Sequence, residues 1–316
     1  TVEDLIDAIG ADVTLDSGAA ITAAKSAYDA LSDEDKALVD ADKVDALNAA
    51  IIKLNRLKHA DLMASLDTIY KTTGDFMSKL GTPTVNSTGG EWMVIGLARS
   101  GRTVPAGYYD NVVKFVRENA DKNERLDRNK VTENARVILA LTAIGKDVTN
   151  VGGHNLLKGL DNMAYVQKQG INGPIWALLA LDSGNYPVPT GGTVTRQALI
   201  DEILRVQTSD GGWTVSGDKA DSDMTGMALT ALAPYYTKDL KVQEAIDKAV
   251  ARLSEMQDED GGYSTSYDGT TKIATSESIS QVVTALSALG INADTDPRFV
   301  KNGNSVIDAL LRYYVN

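Results

Sequence analysis

The sequence predicts an all-α protein: an α/α toroid, in which a ring of inner helices is enclosed by a ring of outer ones, preceded by a small helical module. Three observations carry that reading. QTSDGGW at 207–213 lies over QDEDGGY at 257–263, so Gln, Asp, Gly, Gly and an aromatic recur 50 residues apart, and a fixed period of that size marks a repeat architecture. Each copy follows an amphipathic segment (TRQALIDEILRV, VQEAIDKAVARLSEM) and precedes a small-residue apolar one (DSDMTGMALTALAPY, SESISQVVTALSALG). Segments that are apolar nearly all round belong inside and those with a charged face belong outside, so their alternation closes most simply into a barrel.

In chain order, residues 1–58 read as the small helical module. Asp16 is placed to cap a helix running to Leu31, and Ser32 to cap one that begins SDEDKALV with acids in its first turn. From DADKV onward there is no Gly or Pro before Gly74, which predicts one long helix, or two nearly continuous ones, bridging the module to a second domain over 59–316. Outer helices are expected near 61–80, 106–120, 154–169, 195–207, 239–256 and 298–314. The inner helices are GGEWMVIGLARSG, VTENARVILALTAIG, NGPIWALLALDSG and the two quoted above, most ending in the glycine of a C-terminal cap. Six outer helices against five inner ones leave the ring without its last inner helix. The expectation is that the natural chain continues past Asn316, and that an open slot exposes the apolar sides of the first and fifth inner helices, about Trp92 to Leu97 and Val282 to Leu289. The loop DEDGGYSTSYDGTTKIAT reads as a hairpin with a Tyr-Asp-Gly turn, and its carboxylates lack the regular spacing of a calcium loop.

Composition excludes several functions. A net charge of −12 with scattered Lys and Arg leaves no basic stripe for phosphates, so nucleic acid is not an expected partner. No apolar run approaches the roughly 20 residues that span a bilayer, so membrane insertion is not expected. The absence of cysteine excludes disulfides, thiolate zinc sites and a cysteine nucleophile, and His59 and His154 are the only histidines; no metal or cofactor is predicted. The chain opens at Thr1 without a methionine, so the lack of a leader carries no information.

The repeated motif has a structural reading of its own. Gly211 and Gly212, like Gly261 and Gly262, supply backbone angles that a Cβ forbids in a tight turn between helices. Gln207 and Gln257 can satisfy exposed backbone groups at the ends of the outer helices, and Trp213 and Tyr263 pack across the junctions. The spacing Gln207, Gly211, Trp213 also resembles the QW motif of the squalene cyclase and prenyltransferase repeat superfamily, with Tyr263 replacing Trp in the next copy. Two clear copies and three eroded ones cover about residue 61 to the end. DMTGMALTALAPYY is similar to the cell-surface branch of that superfamily in Gram-positive bacteria, and the segment before residue 58 resembles the small helical modules of such surface proteins. The resemblance implies a terpenoid cyclase-like α/α toroid and an extracellular location, at the cell surface or secreted.

What it implies about chemistry is divided. Class II terpene cyclases protonate their substrate with a D-x-D-D motif whose middle acid is kept protonated in an apolar cavity. Asp221 and Asp223 match two of its positions as candidate catalytic acids, with Met224 where the final acid would stand. Aligning the inner helices on Leu97, Leu141, Leu181, Leu232 and Leu286 places Thr88, Thr132, Asn172, Asp223 and Glu277 just before the helices, which reads Asp223 as a helix cap. Protein prenyltransferases need a zinc-ligating cysteine, and complement-like thioester domains a Cys-Gly-Glu-Gln stretch; both are missing. Cobalamin carriers share the barrel, and nothing in the chain singles out a corrin site. Glu91, Trp92, Glu133, Trp176 and Glu277 lie near the starts of inner helices, where unpaired N–H groups could help hold a polar ligand; capping and core packing are their alternative roles. Two functions compete: a non-catalytic module binding a small molecule or surface partner, or acting as a scaffold, and a terpenoid cyclase or prenyltransferase-like enzyme acting on an isoprenoid. With three Phe and three Trp, the chain is poor in the aromatics that stabilise carbocations, which favours the first.

Overall fold

The computed structural model of the chain describes residues 1–85, 89–265 and 273–315. It is mostly helical, and Cα proximity divides it into two units: Thr1–Ile69 with Asp258–Gly262 and Asp294–Asn316, and Tyr70–Gln257 with Tyr263–Ala293. The boundary expected after residue 58 falls inside one uninterrupted helix. That helix, α4 (Ala41–Met77), is 37 residues long, as its freedom from Gly and Pro before Gly74 dictates.

In the first unit, α1 (Val2–Asp7), α2 (Gly18–Asp29), α3 (Asp33–Lys36) and the first part of α4 form a small bundle. Two apolar clusters hold it: Val13, Ile21, Ala50 and Leu54, and Ile6, Ala24 and Leu47. Ser32 caps α3 by accepting from the Asp35 amide at 3.1 Å, as expected. Asp16 does not cap α2. It lies inside a 3₁₀ turn over Leu15–Ser17, where Ser17 Oγ accepts from the Thr14 amide at 3.0 Å, and the helix begins only after it.

The expected outer helix at 298–314 is replaced by a turn (Pro297–Phe299), a hairpin of β3 (Val300–Lys301) and β4 (Asn304–Ser305), and a short α14 (Val306–Leu311). Asn302 and Gly303 both adopt positive φ, 49° and 79°, the geometry of a two-residue Asn-Gly hairpin turn. Ser305 then restarts a helix by accepting from the Asp308 amide at 3.0 Å.

The second unit holds the repeated helices, while Asp258–Gly262 of the second repeated turn belongs to the first. All five segments expected as inner helices are helical: α5 (Glu91–Arg99), α7 (Val131–Ala143), α9 (Asn172–Ser183), α11 (Ser222–Leu232) and α13 (Ser276–Ala288). They pack in sequence order, α5 on α7, α7 on α9, α9 on α11 and α11 on α13. At the last of these contacts a Cβ on Gly226 would stand 2.9 Å from the Gln281 carbonyl oxygen, so only glycine admits that approach. Of the amphipathic helices, α10 (Arg196–Arg205) packs on α9 and α12 (Leu240–Met256) on α11, and α6 (Gly107–Asn119) buries Tyr108, Val112 and Val116. The hairpin before α13 pairs β1 (Ser264–Thr265) with β2 (Ile273–Ala274); its Tyr-Asp-Gly turn lies outside the described residues.

The outer helix expected at 154–169 is broken into a 3₁₀ turn (Leu156–Leu160), the four-residue α8 (Met163–Val166) and a second turn (Gln167–Gln169). Asn134 of α7 causes the first break: its Nδ2 donates to the carbonyls of Glu124 (2.8 Å) and Leu156 (3.1 Å). Gly159 must pass beside it, since a Cβ there would meet Asn134 Nδ2 at 2.3 Å. Asn162 starts the next piece by accepting from the Tyr165 amide at 2.9 Å.

The expected apolar edges are not found. On α13, Val282 and Leu286 are buried and the exposed positions are Glu277, Ser280, Thr284, Ser287 and Ala288. On α5, Met93, Val94 and Leu97 are buried and only Trp92 is prominently exposed. The sequence spaced its apolar residues for a single buried stripe on each helix, and small polar residues cover the rest of α13.

Candidate functional site

The repeated turns serve structure, as their periodicity suggests. Gln207 Nε2 donates to the carbonyls of Gly211 (2.7 Å) and Ala245 (2.9 Å), tying its own turn to α12. Trp213 is fully buried, and its Nε1 donates to the Ile203 carbonyl at 2.7 Å. Tyr263, buried in the next copy, donates its hydroxyl to the Leu253 carbonyl at 2.9 Å. Both donors reach a carbonyl ten residues back in the last turns of an outer helix, which otherwise lack partners, so tyrosine replaces tryptophan without losing the bond. Gly211 and Gly261 hold φ of 97° and 85°.

Four of the five residues expected to bind ligand come together at the starts of α5, α7 and α9. Glu91 is the first residue of α5 and is fully buried. Its Oε2 lies 2.7 Å from Arg136 Nε of α7, an ion pair, and its Oε1 accepts from the Tyr108 hydroxyl of α6 at 3.3 Å. Arg136 also donates from Nη2 to Glu133 Oε2 at 2.7 Å, one turn earlier on α7. Burial pushes the Glu91 carboxyl above the usual range, and the guanidinium opposes that shift. Burial and the neighbouring Glu91 push the Tyr108 hydroxyl far up, so it remains a donor.

Beside this charged base, Trp92 and Trp176 meet with ring centroids 5.4 Å apart and planes tilted by 55°. They come from α5 and α9, the helices on either side of α7. Trp176 is half-buried, whereas Trp92 is 42% exposed. The first turn of α7 is already capped: Gln169 Oε1 accepts from the Thr132 amide at 3.0 Å, and its Nε2 donates to Thr132 Oγ1 at 3.1 Å. An anion at that helix start would have to displace Gln169.

Glu277 lies elsewhere, exposed at the start of α13, where Asp221 and Asp223 of α11 also stand. Asp221 is the cap of α11: its Oδ1 accepts from the Met224 amide at 2.7 Å. The expectation that Asp223 caps the helix is therefore wrong by two residues. Asp223 sits in the first turn, and its Oδ1 is shut off from solvent with no hydrogen bond. Burial raises its carboxyl above the ordinary range, the Ser278 hydroxyl pulls the other way, and the charges of Asp221 and Glu277 raise it further. Aligning on the leucines misplaced the other caps too. Thr132 is the second residue of α7 and Asn172 the first of α9, while Thr275 rather than Glu277 caps α13; Thr88 lies outside the described residues.

Arg136 and Tyr108 were not singled out from sequence. Arg136 carried a legible signal, being the only basic residue of α7 and one turn after Glu133. Tyr108 carried none, because a tyrosine on an amphipathic helix is ordinary. Among the described residues, no group of three or more His, Asp or Glu is placed to hold a metal ion, and no helix is long and apolar enough to cross a membrane.

Compared with protein families, curated proteins and solved structures, the chain gives no match.

Proposed function

We propose that the chain is a domain of an extracellular Gram-positive surface protein, built on a cyclase-like α/α toroid, that binds a ligand at the mouth around Trp92 and Trp176 and performs no catalysis. The observation that carries this reading is the tilted indole pair, in which Trp92 is 42% exposed, beside the ion-paired Glu91, Arg136 and Glu133. Such a surface offers a rigid apolar contact with polar groups around it, the usual make-up of a ligand site. The toroid is supported by the sequential packing of the inner helices and by the indole contact past α7, which requires the row to curve. The membership in the cyclase repeat superfamily rests on the motif spacing and on the matching bonds of Trp213 and Tyr263.

The second reading, a terpenoid cyclase-like enzyme, is favoured by Asp223, a part-buried carboxyl with one unbonded oxygen. Against it, Asp221 is occupied as a cap, Met224 replaces the third acid, and Trp213 and Tyr263 are committed to helix junctions.

The test is indole fluorescence of the full chain titrated with cobalamin, amino-sugar oligomers of the cell wall, and geranylgeranyl diphosphate. One of these should change the emission, and Trp92→Ala should abolish the response. Binding that survives Trp92→Ala, or a cyclised product from the diphosphate, would overturn the proposal.

A further inference from the structure

The first unit contains a cleft of about 250 Å³ between α2, α4 and the β3–β4 hairpin. Its apolar side is formed by Ile21, Ile51 and Leu54, of which Ile21 and Leu54 belong to the buried core and so are fixed in place. Its polar side is unusual for a chain of net charge −12: two lysines, Lys25 and Lys58, line it with a single carboxylate, Asp29. Asp29 pairs with Lys25, and the Gly303 carbonyl accepts from Lys58 Nζ at 3.0 Å. An ammonium has three donors and no acceptor, so beyond these bonds to described residues each lysine has further N–H groups to offer. On the far side of Lys58 a smaller pocket is lined by Asp294 and Asp308, whose carboxylates accept from the Ser305 hydroxyl and amide, both at 2.9 Å. The cleft's own lining thus presents two ammonium groups and the Asn55 amide against one carboxylate, with Asp294 and Asp308 beyond Lys58, and is floored by branched aliphatic side chains.

We propose that this cleft binds a monocarboxylate with a short branched aliphatic body, either as a free acid or as the C-terminal residue of a peptide. The body lies on Ile21, Ile51 and Leu54, and the carboxylate takes the spare donors of Lys25 and Lys58 with help from the Asn55 amide. A monocarboxylate adds one negative charge beside Asp29, Asp294 and Asp308, whereas a phosphate dianion would add two.

Calorimetric titration of the full chain with isocaproate tests this, with isocaproamide and acetate as controls lacking the charge and the body, and with Gly-Gly-Leu and its C-terminal amide to separate the two sources. A dissociation constant on the order of 1 mM is expected for the favoured acid. The amides and acetate should bind at least about tenfold more weakly, and Lys25→Met and Lys58→Met should each weaken binding by about tenfold. Binding of Gly-Gly-Leu without isocaproate assigns the site to a peptide terminus and supports the chemistry. The proposal is overturned if neither acid binds, if the amides bind as well as the acids, or if both lysine variants bind undiminished. Should Lys58→Met lower the melting temperature, Lys25→Met carries the test, since its side chain is half exposed.

Discussion

Two groups of carboxylates stand at the starts of apolar helices in the second unit, and they differ in whether a guanidinium pairs with them. At the starts of α5 and α7, Glu91 and Glu133 share the guanidinium of Arg136. At the starts of α11 and α13, no ion pair reaches Asp221, Asp223 or Glu277 from the described residues, and burial raises the Asp223 carboxyl above the ordinary range. Helix N-termini favour negative charge in both places, so the helix itself does not decide the outcome. The partner does: a basic residue turns two acids into a fixed floor, whereas burial, with the charges of Asp221 and Glu277, raises the Asp223 carboxyl above the ordinary range.

The largest effect should come from removing that partner. Arg136→Met leaves Glu91 buried and unpaired, and urea denaturation should show a loss on the order of 3 to 5 kcal/mol. Adding Glu91→Gln should recover most of it; a single variant as stable as the parent would mean that the pair does not hold α5 to α7. A comparison between the repeated turns comes next. Gly261→Val puts a Cβ 2.5 Å from the Ser305 carbonyl oxygen, whereas at Gly211 the nearest atom is 3.2 Å away. Both hold positive φ, so denaturation should show a cost of roughly 3 kcal/mol at Gly261 and nearer 1 to 2 at Gly211; equal costs would remove the Ser305 contact as a cause. Tyr263→Phe loses one buried bond to the Leu253 carbonyl and should cost about 1 kcal/mol. The smallest effect returns to the unpaired acids. The folded-state pKa of Asp223 is raised, so protonation stabilises the fold fully below the ordinary carboxylate pKa, and this is lost as pH rises through the raised value. Asp223→Asn should therefore raise the melting temperature by roughly 2 °C near neutral pH and leave it unchanged at about pH 4. A lower melting temperature at neutral pH would show that the charge is compensated.

The five apolar helices were legible because each carries a run of small and apolar residues long enough for a helix, most of them closed by a glycine. The third and sixth outer helices were misread for local reasons. Asn134 takes the carbonyl of Leu156 and breaks one, while Asn302-Gly303 folds the other into a hairpin, a signal present in the sequence and passed over. The caps slipped because leucine positions report the middle of a helix, whereas its start is set by whichever side chain reaches the third amide, here Asp221. Of the site, the aromatic and acidic residues were legible as types near helix starts. Their sorting into two groups was not, because it depends on Arg136 reaching across to α5.

The central claim is that the indole pair, not the unpaired acid, is the working surface. It is tested most directly by measuring the equilibrium affinity of Trp92→Ala and Asp223→Asn for whichever probe changes the indole emission of the parent chain. The account predicts that Trp92→Ala loses binding by about tenfold or more while Asp223→Asn binds as the parent does. Loss of binding in Asp223→Asn with Trp92→Ala unaffected would contradict it and move the site to the start of α11.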